Sequence, residues 1–128
     1  MLFDTSRLAA TTAELFSGFS VDLRVRVGQP LWIKCGQLMT EHVVFCGYMS
    51  IGHDVDNPDE DIAVELCLAP DYGSLDVTIA LGSGKLLAER EISLKERAVD
   101  DIGTAIAEAR HFLHANMHVI VETLSTMS

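Results

Sequence analysis

Apolar side chains at Leu8, Leu15, Phe16 and Phe19 recur at helical spacing behind three N-cap candidates, Asp4, Thr5 and Ser6, and Gly18 stands near their end as a stop signal. The pattern predicts a helix of about three turns. With Asp4 as the cap, Phe3 and Leu8 take the two positions of a hydrophobic staple. From Val21 the period changes to two, because Val21, Leu23, Val25 and Val27 alternate with Asp22, Arg24 and Arg26. A strand is expected there, turned by "GQP" into a second strand over Leu31 to Cys35.

The segments His42 to Ile51 and Ile62 to Ala69 are apolar on both faces apart from Glu65, the pattern of central strands, and "HDVDNPDED" between them reads as their connecting loop. Leu75, Val77, Ile79 and Leu81 form one arm of a further hairpin. Its other arm follows "GSGK" and runs to about Ile92. A long helix then begins between Ser93 and Asp101, with Ser93 and Glu96 as one capping box and Asp100 or Asp101 as a later start. Ile102, Ile106, Ala109, Leu113, Met117, Ile120 and Leu124 fall within about 80° of one another on that helix. The expected fold is therefore α+β: an antiparallel sheet of about six strands flanked by an N-terminal helix and a long C-terminal helix, in a single domain over residues 1–128.

Charge changes the picture more than composition does. The formal net charge is −10. Lys34 and Lys85 bracket fifty residues without a Lys or Arg, while that interval holds Glu41, Asp54, Asp56, Asp59, Glu60, Asp61, Glu65, Asp71 and Asp76. Such a field repels nucleic acid and anionic membrane and speeds encounter with basic partners. The opening sixteen residues lack the basic head and apolar run of a secretory signal, and no window reaches the roughly 20 apolar residues of a membrane span, so a cytoplasmic protein is expected. Cys35, Cys46 and Cys67 are odd in number and lack a CxxC pairing, the pattern of reduced, buried thiols.

Motifs for chemistry are weak. An EF-hand loop numbered from Asp54 puts Asp54, Asp56 and Glu65 at its first, third and twelfth positions, but Pro58 takes the fifth ligand position and Asp59 replaces the required glycine. His111, His114 and His118 are spaced to share the helix face opposite the apolar stripe, where they are weak transition-metal candidates with Glu122 one turn on. A Cys35–His42 pair lacks any orienting third group. "GSGK" has Ile79 where a phosphate loop needs its upstream glycine and Leu86 where it needs Ser or Thr, so it reads as a hairpin turn.

The leading expectation is a non-enzymatic module, without cofactor, that docks on a basic, nucleic-acid-handling protein and does not itself bind nucleic acid or membrane. Glu41, Asp54, Asp56, Asp59, Glu60 and Asp61 would carry the electrostatics, with Trp32 or Tyr72 as the aromatic anchor. In size, charge and helix placement the chain resembles small acidic proteins of bacterial and phage systems: toxin-immunity proteins, anti-defence inhibitors and type III secretion chaperones. The likeness covers no motif. It departs from the chaperone pattern, which has a helix between the third and fourth strands. A second expectation is a small-molecule site, sensory or enzymatic, between sheet and long helix, lined by Tyr48, Cys46 and His42. A third is a chaperone-like homodimer built on a helix face.

Overall fold

A computed structural model describes residues 5–39, 44–94 and 102–126. Its first element, α1 (Thr5–Val27), is 23 residues long and corrects the first expected hairpin. Val21 to Val27 is helix, because Leu23 continues the buried series of Leu8, Thr12, Leu15, Phe16 and Phe19. An alternating VxLxVxV run also satisfies helical spacing, with Leu23 inside and Val27, one turn on, packed at the edge of the core. Val21 and Val25, which a half-buried strand would have hidden, are 58% and 77% exposed. Gly18 lies within the helix at a solvent-facing position, and the actual stop is Gly28, whose positive φ of 69° lets its amide bond the Arg24 carbonyl at 3.0 Å. Phe3 and Asp4, the proposed staple and cap, lie outside the described residues.

Removing that strand leaves five instead of six. They are β1 (Trp32–Leu38), β2 (Phe45–Gly52), β3 (Ile62–Leu68), β4 (Ser74–Leu81) and β5 (Leu86–Ser93). All pair antiparallel in sequence order, as a meander with β1 and β5 at its edges. The segments read as apolar on both faces are β2 and β3, and with β4 they are the three inner strands. "GSGK" is the β4–β5 turn, closed by a Leu81 amide bond to Lys85 and with Gly84 at a positive φ of 102°.

The last third contains two helices, α2 (Ile102–Ala115) and α3 (Met117–Thr126), broken at Asn116. The Asn116 amide shares the Phe112 and Leu113 carbonyls, its side chain also donates to Phe112, and its own carbonyl accepts from Val119 and Ile120. Asn thus closes one helix and opens the next, a use of a residue suited to both caps. Ser93 is the last residue of β5, while Glu96, Asp100 and Asp101, the other residues of the expected helix start, lie outside the described residues. All seven residues of the expected apolar stripe are buried.

The three helices lie on one side of the sheet. There Phe45, Met49 and Ile51 of β2, Val64 and Leu66 of β3, and Leu75, Val77 and Ile79 of β4 meet Phe16, Phe19, Leu113 and Ile120 in one apolar cluster. α1 approaches β2 so closely at Gly47 that an added Cβ would sit 2.7 Å from the Thr12 γ-methyl carbon. His53, just beyond β2, bonds the Leu124 carbonyl and ties α3 to the sheet's end. Among the described residues no helix is long and apolar enough to cross a membrane.

Candidate partner-binding face of the sheet

Side chains alternate across a strand, so each inner strand that sends one set to the helices sends the other set outward. The strand register lines these up in rows. Leu38, Cys46, Cys67, Asp76 and Glu91 form one row, Gly36, Tyr48, Glu65, Thr78 and Glu89 the next, and Lys34, Ser50, Ala63 and Ala80 a third. No described helix covers them.

This open face has two halves. Along β1 and β2 it is apolar and aromatic. Tyr48 lies over Gly36, where any Cβ would collide with its ring and hydroxyl, and Trp32 lies beside Gly52, whose added Cβ would collide with the Asp59 carbonyl oxygen and meet the indole at 3.0 Å. A large ring over a strand glycine covers backbone that the glycine leaves bare. Along β3 to β5 the face is acidic, with Glu65, Asp76, Glu89 and Glu91. Asp76 stands directly opposite Glu91, a like-charge cross-strand pair that opposes folding. Lys34 is the one cation that the described strands contribute to this face. Arg90 of β5 points to the other side, where it faces Glu108 of α2 at 3.8 Å.

The acidic stretch is the β2–β3 loop at one end of the face. Asp54 accepts the amides of Asp56 and Asn57 and so shapes the turn, while Asp61 turns inward to accept the His53 amide at 2.9 Å. Glu60 reaches back to accept a 2.7 Å bond from the Ser50 hydroxyl, which joins the loop to the open face. Asp56 and Asp59 are exposed. Trp32 belongs to this end and shares the outer face with Lys34, with no described helix over it. Tyr72 does not: it occupies the β3–β4 turn at the opposite end, in a left-handed conformation with φ of 60°. Glu41 lies outside the described residues. The register therefore adds four acids, Glu65, Asp76, Glu89 and Glu91, that no local run in the sequence marked as a set.

Other expected constellations come apart. Tyr48 and Cys46 face away from the helices and cannot line a cavity between sheet and long helix, and His42 lies outside the described residues. His114 is not on a free helix face, since it bonds Asp22 of α1 at 3.1 Å and packs edge-on against Phe19 with ring centroids 5.3 Å apart. His118 stands beyond the Asn116 break, so the three imidazoles do not converge.

The cysteines are corrected too. Cys46 and Cys67 are joined as a disulfide, since the β2–β3 register puts them face to face with Cα atoms 4.1 Å apart. Pairs of that spacing bring their side chains closest. Cys35 remains a thiol and is exposed, not buried as expected, on the wall of a groove of about 550 Å³ between α1 and β1 that Phe16, Ser20, Arg24 and Gln37 help to line. Partial desolvation in the groove raises its pKa and the nearby Arg24 charge only partly opposes this, the reverse of what activates a nucleophile. Compared with protein-family models, with curated proteins and with solved structures, the chain matches none.

Proposed function

We propose that the protein is a non-enzymatic binding module whose uncovered sheet face, with the β2–β3 loop as its rim, docks on a basic protein. The observation that carries this reading is the face itself: a sheet surface that no described helix covers, with Trp32 and Tyr48 on one half and four acids on the other. The aromatic half offers rigid apolar anchors and the acidic half offers steering. Asp76 opposite Glu91 supports it further, since a purely structural surface has no use for a pair that repels across strands. An inhibitor or escort of a nucleic-acid-handling protein is the class of partner that such a surface fits, because it offers carboxylates where that partner expects phosphates.

The test is capture of partners on tagged protein, eluted in rising salt, with two variants alongside. One neutralises the face (Glu65→Gln, Asp76→Asn, Glu89→Gln, Glu91→Gln) and the other the rim (Asp56→Asn, Asp59→Asn, Glu60→Gln, Asp61→Asn). A stoichiometric basic protein held by the unaltered chain, lost on the face variant and bound more slowly with a flatter salt dependence on the rim variant, is the expected result. Equal retention by all three would rule the surface out.

A further inference from the structure

Among the described residues, one set of metal-ligating side chains has donor atoms that converge: the sulfurs of Cys46 and Cys67 and a carboxylate oxygen of Glu65, all within 4.8 Å of one another. The sheet builds this set by register. Pairing of β2 with β3 brings the two cysteines together, and Glu65, two residues before Cys67 on the same strand, projects from the same face. We propose that this trio is a cation site of the zinc class, open when the two thiols are reduced and closed when they are joined.

Several features favour a site over a simple staple. Glu65 is exposed, and no hydrogen bond or ion pair among the described residues engages its carboxylate. β2 and β3 are held in register from Phe45↔Leu68 to Ile51↔Ile62 by their backbone ladder, so the covalent link is not needed to set that register. Asp76 lies directly across from Cys67 and Glu91 lies beyond it, which gives the position a negative field that a divalent cation relieves. Two thiolates and one carboxylate, with water in the fourth place, form the tetrahedral soft-donor set that zinc and its congeners take. The face is uncovered, so an ion has a direct approach.

The chemistry balances with a thiol reductant. Two equivalents of a small thiol reduce the Cys46–Cys67 bond, giving two protein thiols and one small-molecule disulfide. The divalent cation then displaces one proton from each sulfur and accepts an electron pair from each thiolate and from Glu65. The site shares the face assigned to docking but does not rest on that assignment, and the two are tested by different readouts.

The experiment uses the full chain with Cys35→Ser, which removes the third thiol from the readout, reduced and then freed of reductant under anaerobic conditions. Cobalt(II) serves as the spectroscopic probe and zinc(II) as its competitor. The expected result is one cobalt per chain with thiolate-to-cobalt charge-transfer absorption, displacement by zinc, and release of about two protons per ion at neutral pH. Adding Cys46→Ser and Cys67→Ser should abolish the absorption, adding Glu65→Gln should weaken binding about tenfold or more, and the oxidised chain should give no band. Alkylation of Cys46 and Cys67 should slow when zinc is present, a readout that does not depend on the variants folding alike. Cobalt affinity equal to that of the double serine variant, or equal in oxidised and reduced chains, would overturn the proposal.

Discussion

The two faces of the sheet are made by the same strands and obey opposite rules. On the covered face β2, β3 and β4 place Phe45, Met49, Ile51, Val64, Leu66, Leu75, Val77 and Ile79, every one fully buried, against three helices. On the open face the same strands place Cys46, Tyr48, Ser50, Glu65, Cys67, Asp76 and Thr78. The covered face is chosen for volume and hydrophobicity, so its side chains explain stability. The open face has small residues, a ring over Gly36, a disulfide and a like-charge pair of acids, and because that pair opposes folding, stability alone does not account for the composition of this face.

The largest effect that can break this comparison is truncation on the covered face. Phe45→Ala removes a fully buried ring from the cluster and should cost about 3–5 kcal/mol in denaturant unfolding. Thr78→Ala on the open face of β4 should stay within about 1 kcal/mol. Comparable losses at both positions would mean that something buries the outer face as well.

A second comparison sets two glycines against each other. Gly47→Ala drives a Cβ into the Thr12 γ-methyl at 2.7 Å, beneath a helix that cannot easily retreat, and should cost about 1–3 kcal/mol. Thr12→Ser removes that methyl and should recover much of the loss in the double variant. Gly36→Ala also meets an obstacle, but it is the Tyr48 ring, which can swing into solvent. Its stability loss should be smaller, and the change should appear in near-ultraviolet circular dichroism of the displaced ring. Lack of rescue by Thr12→Ser would show that the close approach of α1 is not what fixes Gly47.

The same contrast explains which parts of the molecule were legible in the sequence. β4, the hairpin turn at "GSGK" and the apolar stripe of α2 and α3 are readable because burial on the covered face imprints a local period, while β2 and β3 read as runs apolar on both faces although the helices cover only one. Val21 to Val27 reads as a strand but is helix, because Leu23 and Val27 face the core four residues apart, a spacing that a two-residue period and a helical one share. Asn116 left no mark on the stripe, since both helices keep their apolar residues on one side of the break. At the site, the acidic loop and Trp32 could be seen as a local run and a lone aromatic. The Cys46–Cys67 junction, Glu65 beside it and the Asp76–Glu91 pair could not, because each depends on strand register, a relation between positions 15 to 21 residues apart.

A third and smaller effect tests the acidic half directly. Glu91→Gln relieves the repulsion with Asp76 and should raise stability by about 0.2–1 kcal/mol at low salt. That gain should shrink as ionic strength rises, because both groups lie near solvent and are screened within about 10 Å at 0.1 M. Thermal melts of the two proteins at two salt concentrations measure it. A destabilised Glu91→Gln would mean that the carboxylate has a partner on the face, and the surface would then be structural.

The smallest effect concerns Cys35, at the fringe where the covered face opens into the α1–β1 groove. Partial desolvation lifts its pKa above the ordinary 9.0 against the weaker pull of Arg24, so the folded chain holds this proton at alkaline pH values where the unfolded chain has released it. The native state then binds more protons than the unfolded one, and stability falls as pH rises from 9.0 through the folded value. Below that window Cys35 contributes its full share and no pH dependence. Cys35→Ser should remove this alkaline slope while leaving the neutral-pH melt nearly unchanged, and in the unaltered chain alkylation at neutral pH should be slower than for a small free thiol. Alkylation as fast as that of a free thiol, with no alkaline slope, would place Cys35 with the open face in its solvation, and the boundary between the two faces would move inward by one strand position.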